Sequence, residues 1–98
     1  MLSDKHIIIE AIQRLTVIEF GYGGFRRVYW PYALGETKSG EIEVFGWQVR
    51  SGKGDQPDFR QFRLDGLTGL IPTAQYFGRP SQPVDLEKRG FVRVFAST

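Results

Sequence analysis

The chain contains no cysteine. Disulfides, thiolate metal sites and a Cys nucleophile are therefore excluded. Histidine is nearly absent too: His6 stands alone. A Ser-His-Asp arrangement would have to use it, and a partly exposed surface residue is the plainer reading. Metal sites usually collect several His, Asp or Glu ligands. Glu41 and Glu43 lie two apart on one strand face without a third partner, so they read as a solvated face, open to ion pairs with cross-strand arginines. Long apolar runs are missing. Ile7-Ile8-Ile9 is broken by Glu10, which leaves no signal-peptide core. No stretch approaches the roughly 20 apolar residues of a membrane helix. Charge of one sign is also lacking, with 13 Lys+Arg against 11 Asp+Glu and a net +2. That balance is too mild to imply nucleic-acid binding, so any such binding needs a local arginine cluster. These absences lead to the expectation of a soluble, cytoplasmic, non-enzymatic protein without a cofactor and without a membrane partner.

What is present is aromatic. The 98 residues, 41% hydrophobic and 14% aromatic, have the composition of one folded domain, residues 1–98. Ile8, Ala11, Ile12 and Leu15 follow the i, i+3, i+4, i+7 spacing of a single buried stripe, predicting a helix over 4–15. Ser3 or Asp4 can cap it by accepting free N–H groups of its first turn.

From Thr16 the period changes to two. Strands are predicted over 16–22, 25–32, 41–49, 59–65 and 70–77. Gly21-Tyr22-Gly23-Gly24 reads as a hairpin turn between the first two. A phosphate loop would need GxxxxGK[ST] ahead of a helix. Pro31 cannot donate to a ladder and is expected at a strand end or edge. Ser51 to Asp58 reads as an exposed loop. Arg79-Pro-Ser-Gln-Pro83 reads as extended and stiff, and the tail, 84–98, as a helical turn followed by a strand. One helix followed by short, tightly turned strands favours a mainly β fold. The expected form is a small, strongly bent antiparallel sheet or barrel, with the helix closing one side.

Arginines remain to be explained. Arg26 and Arg27 follow the hairpin, Arg50 and Lys53 flank the long loop, and Arg60 and Arg63 share the next strand. Alternation places Arg60 with Phe62 and Leu64, and Arg63 with Gln61 and Asp65 on the other face. Arginine's planar fork of donors suits phosphates and carboxylates, and it stacks on bases. Tyr29, Trp30, Trp47 and Phe62 could add stacking surfaces. The plainer reading puts the aromatics in a core and pairs the arginines outside with Glu19, Glu41, Glu43, Asp58 and Asp65.

An ordered set of fragments resembles the WYL domain of bacterial transcriptional regulators. Val17-Ile-Glu-Phe20 looks like that family's first strand. Arg27 and Pro31 have its R...P spacing, and Val44-Phe-Gly46-Trp47 is similar to its next strand. Arg60-Gln-Phe62-Arg63-Leu64-Asp65 matches its following motif, and Phe77-Gly-Arg-Pro80 resembles its closing one. The match spans roughly residues 7 to 84.

The resemblance implies an Sm-like or SH3-like β-barrel with an N-terminal helix. It also implies a ligand-sensing role in transcription regulation, with basic residues gripping an anionic ligand, a nucleic acid or nucleotide. By position it singles out Arg27 and Arg60, then Arg63, with Trp47 beside them. The naming triad falls on Ile42-Glu43-Val44, its first-strand tyrosine on Phe20, and a motif arginine on Gly66. Losing an Arg and gaining a Glu would weaken an anion pocket. The family's usual helix-turn-helix domain is not in this sequence, so a stand-alone sensor, a degenerate partner subunit or an excised domain is expected. The alternative expectation is a protein-interaction or dimerisation module with a lapsed pocket, using open sheet edges and surplus aromatics.

Overall fold

The computed structural model describes residues 2–98. It is mainly β, with one N-terminal helix: α1 (Asp4–Arg14), β1 (Thr16–Tyr22), β2 (Phe25–Thr37), β3 (Ile42–Ser51), β4 (Asp58–Arg63), β5 (Thr68–Tyr76) and β6 (Phe91–Ser97). A 3₁₀ turn, Leu64–Gly66, joins β4 to β5. The six strands form one antiparallel sheet in the order β4-β3-β2-β1-β5, with β6 paired to β2 off that path. Strands β4 and β5 end the path, and the sheet is not closed into a barrel.

The helix begins as its capping sequence predicts, with the Ser3 hydroxyl accepting from the His6 N–H. It ends one residue early. Leu15 adopts a left-handed conformation, φ 57°, and its N–H caps the carbonyls of Ala11 and Ile12. That turn swings Leu15 out of the stripe of Ile8, Ala11 and Ile12 and onto the other side of the sheet.

Strand β2 is longer than expected, and Pro31 lies buried inside it. The expectation of a strand end or edge fails because β2 changes partners there. It pairs with β1 through Tyr29, and with β6 from Ala33 onward. The register against β3 also shifts between Pro31 and Ala33. A residue with no N–H is tolerated at such a bulge, where the ladder is already interrupted. The hairpin turns at Gly23-Gly24, with Tyr22 opposite Phe25. The tail forms a turn at residues 86–90 and then β6.

Both faces of the sheet carry apolar side chains. On the inner face α1 packs Ile8, Ala11 and Ile12 against Ile18, Phe20, Tyr29, Val44 and Phe62. On the outer face Val17, Tyr32, Phe45, Phe77 and Phe91 form a second cluster, fringed by Trp30 and Trp47. Fully burying one such side chain stabilises by about 1.5–3 kcal/mol, so each cluster is a substantial share of a small domain's core.

Candidate functional site

The sheet separates the side chains singled out from the sequence. Arg27 and Arg60 belong to the inner face, while Arg63 and Trp47 belong to the outer one. On β4, Phe62 is buried in the inner cluster, and alternation places Arg60 beside it. Phe59, which pairs with Trp47, and Arg63, which pairs with Glu43, point outward.

Arg27 is only 9% exposed. Its guanidinium donates to Gln48 Oε1 at 2.9 Å and to the Tyr22 carbonyl at 2.9 Å, and lies 5.3 Å from the Phe62 ring centroid. Its nearest carboxylate, Asp55, stands 4.0 Å away on the β3–β4 connection. The exposed pair Arg63–Asp65 closes to 2.8 Å by comparison. Two buried donors of this cluster end without an acceptor, Arg27 Nε and Gln48 Nε2. A buried polar group left unpaired costs about 1–3 kcal/mol. The inner face therefore ends in a cluster with more donors than acceptors, closed by a loop carboxylate at the limit of contact.

Arg60 follows on the same face of β4, opposite Gly46 and so two residues along β3 from Gln48; it is partly exposed, and no hydrogen bond or ion pair reaches its guanidinium among the described residues. Its main-chain carbonyl is occupied, accepting from the Tyr29 hydroxyl at 2.6 Å. That bond requires the tyrosine ring to cross Gly46, where an added Cβ would lie 2.9 Å from Tyr29 Cζ. Glycine is demanded at Gly46 first by the Trp30 carbonyl on the neighbouring strand, which a Cβ would strike, and then by this ring. Burial, and then the proximity of Tyr32, push the Tyr29 hydroxyl well above the ordinary tyrosine pKa.

Arg63 is committed elsewhere. It pairs with Asp65 at 2.8 Å and with Glu41 at 3.0 Å, and the hydrogen bond to Asp65, ahead of the two carboxylate charges, raises its pKa. Gln61 likewise donates to Glu43 at 2.7 Å. Gly66 stands where the resemblance expects an arginine. A Cβ there would lie 2.5 Å from the Tyr22 ring, so this packing admits no side chain at that position.

Trp47 lines a different feature, an outer-face groove of about 620 Å³. Its floor is Trp30, Tyr32, Phe45, Trp47 and Phe59; its far wall is the Pro80–Asp85 segment, with Lys88 and Arg89. Gln61 Nε2 donates to the Arg89 carbonyl at 3.0 Å and so ties the tail to β4. The sequence offers Tyr29, Trp30, Trp47 and Phe62 together as stacking surfaces. The pleat divides them, sealing Tyr29 and Phe62 under α1 and leaving Trp30 and Trp47 at the groove. The sequence did not single out Gln48, Asp55, Phe59 or Arg89. Period-two aromatics on adjacent strands signalled Phe59; nothing local signalled the contacts of Asp55 or Arg89.

Among the described residues no group of three or more His, Asp or Glu side chains could hold a metal ion, and no helix is long and apolar enough to cross a membrane. The chain matches no protein-family model, no curated protein and no solved structure.

Proposed function

We propose that this chain is a non-enzymatic, WYL-like ligand-sensing domain that binds an anionic ligand, a nucleotide or nucleic acid phosphate, at the Arg27–Gln48 cluster with Arg60 at its rim. We read the bent sheet as an open form of the Sm-like or SH3-like barrel, working in the cytoplasm within transcription regulation. One observation carries the reading: two adjacent buried side chains, Arg27 and Gln48, each keep a donor unsatisfied while Asp55 stays 4.0 Å off. Asp55 is then the internal stand-in for the ligand's oxyanion. A phosphate that displaced it would bring acceptor oxygens to donors that now have none, and charge-assisted bonds of that kind are short and strong. Arg60, without a partner of its own, would complete the positive rim. Moving Asp55 would move the connection after β3, so occupancy would be read out as a change of loop position. Arg63 and Trp47 take no part in this site.

The test is binding of labelled single-stranded DNA and RNA, and of inorganic phosphate, at low and moderate salt. Asp55→Asn removes the competing charge and is expected to tighten phosphate binding several-fold. Arg60→Ala is expected to weaken the binding and flatten its salt dependence. Asp55→Asn binding no tighter than the parent, with the fold intact, would sink the reading.

A second reading, a protein-interaction or dimerisation module, is favoured by the apolar side chains outside both clusters. Tyr76 is 78% exposed and Val92 64% exposed, on strands with an open edge. A concentration-dependent rise in mass, abolished by Val92→Lys, would support it.

A further inference from the structure

We infer that the outer groove is a second, separate binding site, which stacks a nucleobase carried on phosphate. The inference does not rest on the Arg27 reading, because the sheet lies between the two sites.

The floor is built of flat surfaces already arranged for stacking. Phe45 and Phe59 stack with centroids 5.6 Å apart and planes 14° apart, and Trp30 stacks on Phe77 at 5.5 Å and 5°. Trp47 meets Phe59 edge-on at 4.9 Å and 80°. Yet Phe59 is left 46% exposed and Trp47 is only partly buried. Such rings take another planar ring offset against them, and base–aromatic stacking is tolerant of base identity.

The charge at the rim selects among planar ligands. Lys88 and Arg89 face one carboxylate, Asp85, along the wall. The Asp85 side chain already accepts from the Lys88 N–H at 3.0 Å, capping the turn that presents both bases. Arg89 lies 4.3 Å from the Phe45 centroid and 5.7 Å from that of Phe59, so a guanidinium rests on the same ring faces a base would use. A free cation would meet these two positive charges. A phosphate would be drawn to them, and a base could displace Arg89 from the rings while Arg89 turns to the phosphate.

A proline-rich peptide is the other ligand that seeks aromatic grooves. Here the chain's own Pro80-Ser-Gln-Pro83 occupies the wall facing the rings. The remaining 620 Å³ falls within the range of small-ligand sites.

Both tryptophans of the chain line this groove, so intrinsic fluorescence reads it directly. The parent protein is titrated at low salt with a thymidine decamer, its abasic counterpart, thymidine monophosphate and a proline-rich peptide. The expected result is saturable quenching by the decamer and little by the abasic strand. Phe59→Ala and Lys88→Glu should each weaken the decamer roughly tenfold, while Arg14→Ala, an exposed helix residue paired with Glu10 and away from the groove, leaves the quenching unchanged. Quenching by the monophosphate at similar concentration would assign a free nucleotide, and quenching by the decamer alone a strand; both support the site. Equal binding of the abasic strand, no quenching by decamer or monophosphate, or quenching by the peptide alone would overturn it. Phe59→Ala keeps the test sound, because this half-exposed ring lies outside the buried core.

Discussion

The two faces of one sheet treat the same kinds of side chain in opposite ways. Inside, α1 covers Phe20, Tyr29 and Phe62, and their rings meet edge-to-face at 5.3–5.4 Å. Outside, no helix covers Trp30, Trp47 and Phe59; an irregular proline-stiffened segment stands off from them and leaves a groove. Aromatic content therefore says little about role. What decides it is whether a second layer removes the rings from water, because only then does their area become core stability. The arginines follow the same division. Arg27, enclosed, is held by Gln48 and Tyr22; Arg63, outside, is held by carboxylates in water; Arg89 rests on the Phe45 ring at the groove floor.

Truncating one ring on each face gives the widest contrast. Phe20→Ala, at a fully buried position, should cost about 3–5 kcal/mol in denaturant unfolding. Phe59→Ala should cost about 1 kcal/mol or less, since its ring is already half in water. Similar losses for the two would mean that the outer rings are as much core as the inner ones.

A smaller effect is expected at Tyr29. The raised pKa of Tyr29 means that the folded state holds its proton after the unfolded chain, near pH 10, has begun to lose it. The stability gained by keeping this hydroxyl neutral is intact below that value and is lost as pH rises through the folded pKa. Alkaline melts should show a falling limb above about pH 10, and Tyr29→Phe should flatten it. The variant should also lose about 1 kcal/mol at neutral pH from its hydrogen bond to the Arg60 carbonyl. Smallest of all, Arg63→Ala should leave the melting temperature unchanged within error, since its two ion pairs are solvated.

The strands and the helix were legible because burial imposes their periods, and β1 runs from 16 to 22 as the alternation predicts. The length of β2 was not legible. A proline reads locally as a strand end, and only the exchange of β1 for β6 as partner makes room for it. Arg27 showed as a candidate but not as an enclosed one, since its partners Gln48 and Asp55 lie 21 and 28 positions away in the chain. Gly66 read as a lost charge; its cause is the Tyr22 ring, which no local pattern reveals. The outer groove was half visible. Trp47 announced itself, whereas the wall bearing Arg89 arrives from the tail and is placed by the packing of Val84 and Leu86 on the outer cluster and by the hydrogen bond from Gln61.

Whether Asp55 stands where we propose that an oxyanion binds can be read from the Arg27 Nε–H resonance in ¹H–¹⁵N spectra during titration with inorganic phosphate. The expected result is a saturable shift of that signal, together with the Gln48 side-chain amide, at lower phosphate in Asp55→Asn than in the parent protein. Signals that stay fixed while phosphate perturbs only exposed lysines and arginines would contradict it and leave Arg27 a structural residue of the inner core.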